Sequence, residues 1–304
     1  MRNNLVSIFC EKAKTNKDLV FITADLGYNV LNKIFEQFPD QYINVGICEQ
    51  NMTSIAAGLA LSGKCVFTYS IGSFSTLRCI EQIRNDVCYH NANVKIVALA
   101  AGFAYGVLGM SHHATEDIAC MRSLPNITVF SPCDPFETRE VTKAAIKMNT
   151  PCYIRLGRGG EQNLWDNFGS FEIGKAYQMS KGNTIVIFST GSITKEAKSA
   201  VSELAKENIF VSLYSFPTIK PIDANLIKAC AKDYKIIITL EEHQRCGGFG
   251  SAVSEVLSEI PSHAKLIRMG LDNTFASVVG DTDYLRSFYG LDAKSIIKII
   301  KGNI

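Results

Sequence analysis

The chain has 304 residues, 47% of them apolar, with 31 basic and 29 acidic side chains and a formal net charge of +2. That length accommodates two domains of ordinary size, each with its own core. Interspersed charges of both signs exclude the basic stripe that an electrostatic nucleic-acid surface needs. The start, MRNNLVSIFCEKAKTNKD, is too polar for a signal peptide, and no apolar run reaches the ~20 residues needed to span a bilayer. Ten cysteines occur without one Cys-x-x-Cys pair. Several lie in apolar runs, Cys65 in GKCVFTYS and Cys230 in LIKACAKD, as buried reduced thiols do. The expectation is a soluble cytoplasmic protein with no metal site of its own and no nucleic-acid or membrane partner.

In chain order, short β-branched runs at 19–23, 65–69, 94–98, 128–130 and 152–156 alternate with helical patterns over 50–62, 77–90 and 135–148. Buried strands alternating with helices predict a mostly parallel α/β sheet. The third helix has a readable start, with Asp134 as N-cap, Pro135 in the first turn and Glu137 at the third position. The rhythm breaks after Gly157. The stretch GRGGEQNLWDNFGSFEIGKAYQMSKG, rich in Gly, Asn and charge, reads as an interdomain crossover. A second series follows, with strands in TIVIFST, FVSLYSF, KIIITLEE and KLIRMGL. Helices are expected over 193–208, 224–233, 250–259 and 292–301. The fold class is α/β, as two consecutive domains, 1–165 and 175–304, each a mostly parallel sheet flanked by helices.

Two segments carry candidate chemistry. Asn44-Val45-Gly46-Ile47-Cys48-Glu49-Gln50-Asn51-Met52 runs from a short strand into a helix of small residues. Glu49 then sits at the start of a helix apolar enough to be buried. Such a glutamate is either a first-turn acid favoured by the helix dipole or a buried proton-transfer group with a raised pKa. The second segment, AAGFAYGVLGMSHHATEDIA, has glycines at 102, 106 and 109, then His112 and His113, then Thr115-Glu116-Asp117 opening a helix. It reads either as a capped helix behind a glycine loop or as a bend that lets backbone approach a ligand.

Taken in order, these segments resemble the transketolase family. NVGICEQNM is similar to the segment that carries the activating glutamate in transketolases and deoxyxylulose-phosphate synthases. ITADL (22–26), LRCIEQIRNDV (77–87), SHHATEDIA (111–119), SPCDPFE (131–137) and PCYIRLGR (151–158) match in register. STGS (189–192), TIKPID (218–223) and EEHQRCGGFGS (241–251) resemble the family's C-terminal domain.

The resemblance implies a pyrimidine-binding domain over 1–165 and a transketolase C-terminal domain over 175–304, with thiamine diphosphate as cofactor. Glu49 would hydrogen-bond the aminopyrimidine and promote the tautomer that deprotonates the thiazolium. His112 would face the thiazolium and the donor's hydroxyls. Asp25, Phe74 and Ile47 are expected beside the cofactor, with Phe74 stacking on the aminopyrimidine. Arg158, Arg2 and Arg78 are expected to hold the substrate, because guanidinium suits oxyanions. The family's Gly-Asp-Gly motif, which binds the cofactor diphosphate through Mg²⁺, does not occur here. The resemblance therefore implies a partner, an N-terminal transketolase subunit that binds the Mg²⁺ and completes an α₂β₂ heterotetramer. Where transketolases read Asp-Gly-Pro-Thr-His, this chain has Leu108-Gly109-Met110-Ser111-His112, and Ala100 replaces another substrate histidine. Lost polar contacts shift substrate preference, so an unusual sugar is expected. The alternatives are a β-type subunit of a 2-oxoacid dehydrogenase and a non-catalytic scaffold subunit.

Overall fold

A computed structural model describes all 304 residues. The strands are β1 (Leu19–Thr23), β2 (Tyr42–Asn44), β3 (Cys65–Ile71), β4 (Val94–Leu99), β5 (Thr128–Phe130), β6 (Cys152–Arg155), β7 (Tyr177–Ser180), β8 (Ile185–Ser189), β9 (Ser212–Ser215), β10 (Thr218–Lys220), β11 (Ile236–Gln244) and β12 (Lys265–Leu271). They form two sheets, ordered β10-β5-β6-β4-β3-β1-β2 and β12-β11-β8-β9-β7. Within the first sheet β1 to β6 are all parallel, and in the second only β7 runs antiparallel. Every residue of β1, β3, β4 and β6 is buried. Helices cover both faces of such a sheet, so its strands read as continuous apolar runs rather than as alternation. On one face Phe9, from the helix Arg2–Ala13, meets Phe21 and Phe67 edge-on at centroid distances of 5.0 and 5.5 Å. On the other, Met52, Ala56 and Ala57 of the helix Glu49–Leu61 pack into the core with Ile22 and Val66.

The structure departs from the sequence reading in three places. The second sheet has a fifth strand, β7, inside the stretch read as crossover. The TIK segment of the second half forms β10, which joins the first sheet antiparallel to β5. The single helix expected over 77–90 is instead a turn, Ile80–Gln82, followed by a wider-wound turn, Ile83–Cys88. Leu77 and Arg78 stay outside it, and Arg78 is drawn to a carboxylate on the neighbouring helix.

Two acids fasten the crossover to the helix Pro135–Lys147. Asp134 accepts the Glu137 N–H as N-cap (2.8 Å) and the N–H groups of Leu164 and Trp165 (2.8 and 3.2 Å). Glu137 accepts from the Trp165 indole at 3.1 Å and from the Cys133 N–H at 2.7 Å. Glu137 is fully buried, and burial pushes its carboxyl up from the ordinary 4.5 to about 7. A raised folded-state pKa gives stability that is fully present below the unfolded value and lost as pH rises through the folded one. Unfolding free energy should therefore decline between about pH 4.5 and 7, by on the order of 3 kcal/mol for a shift of this size. Glu137→Gln should flatten that window, as read from urea midpoints across the pH range.

Candidate active site

The carboxyl ends of the parallel strands in the first sheet share one edge, where ligands bind in open α/β sheets. Asp25 follows β1, Glu49 follows β2, Phe74 follows β3, His112 follows β4 and Arg158 follows β6. Sequence distance is thereby converted into proximity.

Glu49 opens its helix and is only 2% exposed. It accepts a hydrogen bond from Ser70 Oγ, on β3, at 3.2 Å, and from Arg78 Nη1 at 2.7 Å. The Arg78 guanidinium lies over the Phe74 ring at 4.3 Å, and Phe74 meets the His112 ring at 5.2 Å. His112 in turn faces Tyr105 edge-on at 6.4 Å, and the Arg158 guanidinium stands over Tyr105 at 5.5 Å. A continuous line of contacts thus joins Glu49, Arg78, Phe74, His112, Tyr105 and Arg158. At its far end Arg2 lies against the backbone beside Arg158. A Cβ added to Gly159 would come within 2.9 Å of Arg2 Nε, and that buried Nε has no hydrogen-bond partner. Arg158 also lines a cavity of about 290 Å³ together with Ser192, Lys195 and Arg286 of the second half.

Arg78, expected toward the substrate, lies instead on Glu49 and Phe74. Asp25 and Ile47 stand apart from the line. Asp25 accepts from Asn44 Nδ2 at 2.9 Å and borders a separate hollow of about 180 Å³ with Tyr28 and Tyr42. Ile47 is 80% exposed. Two participants escaped the sequence reading, Ser70 and Tyr105. An aromatic side chain inside a glycine-rich loop was the available signal for Tyr105; a serine within the apolar strand β3 gave none.

The donor set fits an aminopyrimidine ring. A buried carboxylate stands beside an accessible aromatic face, and the planar guanidinium of Arg78 already bridges the two as a flat cationic donor. No cluster of three or more His, Cys, Asp or Glu side chains is arranged to hold a metal ion. No helix is long and apolar enough to cross a membrane.

Residues 1–161 match the transketolase pyrimidine-binding domain and residues 174–296 the transketolase C-terminal domain. This chain belongs to the transketolase family. Among its relatives is a Methanocaldococcus jannaschii chain provisionally named as a transketolase C-terminal section, 39% identical over 99% of this chain and 95% of that one. A chain of Actinobacillus succinogenes, named as one of the subunits of an apulose-4-phosphate transketolase, is 36% identical over 98% of this chain and 96% of its own. A solved split-gene transketolase, an inactive β₄ tetramer, superposes with a TM-score of 0.88 at 35% identity, over 99% of this chain and 96% of that one. The two transketolase α/β domains and their mostly parallel sheets agree with the fold read from the sequence.

In this member of the transketolase family the two adjacent histidines differ in setting. His112 is half-buried at the site, bonded through Nδ1 to Ser111 Oγ at 3.0 Å. His113 is buried, edge-on to Phe103 at 5.3 Å, with Nδ1 unpartnered and Nε2 3.4 Å from the Gly106 carbonyl oxygen. Burial pushes the His113 pKa down from its ordinary 6.5. A depressed folded-state value gives stability that is present above the unfolded pKa and lost as pH falls through the folded one. His113 should therefore remain neutral at pH 6.5, and ¹H–¹⁵N imidazole NMR should show it half-protonated only at a lower pH.

Proposed function

We propose that this chain is one subunit of a thiamine-diphosphate-dependent transketolase that moves a two-carbon ketol unit from a ketose to an aldose. The observation that carries the reading is the line from Glu49 to Arg158, which runs from a buried carboxylate, past an aromatic face and a histidine, to an arginine pair. When bound, thiamine diphosphate supplies the electron sink for breaking and forming the C–C bond. Glu49 holds and exchanges a proton at the aminopyrimidine, and Ser70 fixes its carboxylate from below. Phe74 supports the ring face, which Arg78 must vacate or share. His112 donates and accepts at the donor's hydroxyls. Arg158 and Arg2, the latter with an unused buried N–H, bind the anionic end of the sugar, a phosphate or a comparable group. Asp25 and Ile47 border the cofactor at the β1–β2 edge. Leu108 and Met110, about half exposed, give the mouth of the site an apolar rim and favour a sugar outside the ordinary pentose phosphates.

The relatives' names, as single subunits of transketolases and as a split-gene protein, support a partner chain. In this reading the partner is the N-terminal subunit, which holds Mg²⁺ and the diphosphate in a cytoplasmic α₂β₂ complex. Isothermal calorimetry of the chain alone with thiamine diphosphate and Mg²⁺ should then show little heat until the partner is added. Micromolar binding without the partner would contradict the division of the site. A donor assay with pyruvate against a ketose separates the 2-oxoacid dehydrogenase alternative.

The role of Glu49 has its own test. Glu49→Gln preserves size and hydrogen bonding but removes the exchangeable carboxyl proton. As a helix-terminal acid, Glu49 would be worth about 0.3–1 kcal/mol and its replacement would leave turnover near normal. As the proton-transfer group, its loss should slow hydrogen–deuterium exchange at the thiazolium carbon by ~10²-fold or more in the reconstituted complex. An unchanged exchange rate in a folded, assembled variant refutes the assignment.

A further inference from the structure

The segment carrying His112 and Tyr105 is a closed loop with a defined neck. Gly102 and Ala114 exchange backbone hydrogen bonds, Gly102 N–H to Ala114 O at 3.0 Å and Ala114 N–H to Gly102 O at 3.1 Å. From the first half, Arg155 of β6 donates to the Ala114 carbonyl at 2.8 Å and the Leu156 carbonyl accepts from Ala101 N–H at 2.9 Å; the side chains that hold the Phe103 peptide come from the second half. Glu242 on β11 accepts the Phe103 N–H through Oε1 at 2.7 Å, and Thr282 Oγ1 donates to the Phe103 carbonyl at 3.2 Å. Both polar groups of one peptide position are thus held by side chains 139 and 179 residues away. The Phe103 ring is fully buried within the second domain's core, stacked on Tyr289 at 5.5 Å. Gly102 has φ +57°, and a Cβ there would come within 2.2 Å of Glu242 Oε1. Glycine at 102 is therefore what lets the carboxylate reach the neck. Glu242 is itself fixed by Arg286 Nε, and Arg286 is held further by Ser192 Oγ at 3.1 Å and Glu196 at 3.4 Å.

We infer that Glu242 and Thr282 are positioning residues, through which the second domain sets the placement of His112 and Tyr105 over the candidate cofactor and sugar sites. Neither belongs to the line from Glu49 to Arg158, although Thr282 also lines the cavity beside Arg158, so the exchange readout and not turnover tests its positioning role. Both residues act on the Phe103 peptide, from which the loop turns out and back over only ten residues before closing at Ala114. From the first domain the outer turn is held by Ser73 Oγ, which donates to the Ser111 carbonyl at 3.1 Å, and by Phe74 against His112; the second domain fixes the neck from which that turn springs. The second domain is thus part of the active-site architecture, although it contributes no group to the line from Glu49 to Arg158.

The placement of the loop stands on geometry alone, while the catalytic consequence rests on the transketolase reading. Two readouts keep them apart. Hydrogen-exchange mass spectrometry on Glu242→Ala, Thr282→Val and Thr282→Ser should show the 100–114 segment exchanging about tenfold faster in the first two, as for a lost hydrogen bond. The 185–189 strand of the second domain should stay protected, and Thr282→Ser, which keeps the hydroxyl, should return the loop to wild-type exchange. In the reconstituted complex, kcat for two-carbon transfer should fall at least ~10-fold in Glu242→Ala, with a smaller change in KM, as for a misplaced reacting group. Wild-type exchange over 100–114 in both folded variants overturns the inference. If Glu242→Ala fails to fold, Thr282→Val decides alone, since it removes one hydroxyl and no charge. Absence of transfer by the wild-type complex would refute the transketolase reading and leave the exchange result standing.

Discussion

The fold turns on a buried ion pair at the seam between the two domains. Arg155, the last residue of β6, donates from Nε to Asp117 at 2.7 Å, and from Nη2 to the carbonyl oxygens of Ala114 at 2.8 Å and Glu242 at 3.0 Å. Tyr153 adds a hydrogen bond to Asp117 at 2.6 Å. Burial by itself would raise the Asp117 carboxyl, but the neighbouring Arg155 and His243 outweigh it and hold it below the usual carboxylate range. Two fully buried charges are tolerable only because each is opposed and the remaining donors and acceptors are filled. Leaving either without its partner is the kind of change that costs about 3–5 kcal/mol. One guanidinium thereby ties the first sheet, the end of the histidine loop and strand β11 of the second sheet to a common point.

That arrangement explains how residues from separate segments come together at one edge. A parallel sheet buried on both faces is stiff, and every loop at its carboxyl edge starts from a fixed place. The line from Glu49 to Arg158 is built almost wholly from aromatic contacts and ion pairing between such loops. Arg78 illustrates the consequence. It lies outside regular helix, so its guanidinium is free to answer the buried carboxylate of Glu49, and it covers Phe74 while doing so.

Much of the architecture was legible in the sequence because parallel strands leave a strong signature. FITAD, CVFTYS, VKIVAL and CYIR stand out as apolar runs between amphipathic helices, and the Asp134-Pro135-Glu137 start was recognisable as a cap. Glu49 could be placed at a helix start for the same reason. Three features were hidden by physics that acts at a distance. β10 is a three-residue strand whose partner lies some ninety residues upstream, so no local pattern marks it. β7 has no fully buried residue and sits at a sheet edge, so it lacks the apolar signal. Arg78 carries an arginine's chemistry in any setting; its pairing with Glu49 depends on a tertiary approach that spacing does not encode. Asp25 and Ile47 share the edge but not the contact line: Asp25 pairs with Asn44, and Ile47 is exposed two residues before the buried Glu49.

The antiparallel pairing of β10 with β5 has a consequence for how the chain can be divided. β5 would otherwise be the last strand on its side of the first sheet, with a row of unpaired N–H and C=O groups facing outward. Unprotected edges of this kind recruit strands from other molecules. The short segment Thr218–Lys220 closes that row, and Lys220 Nζ also donates to the Arg122 carbonyl, at 3.1 Å, at the end of the helix Asp117–Ser123. The second domain is therefore a guard against self-association for the first as well as its neighbour. A fragment cut within the crossover would release the first domain with a sticky flank, so the chain can be separated into its two sequence halves only at the expense of solubility.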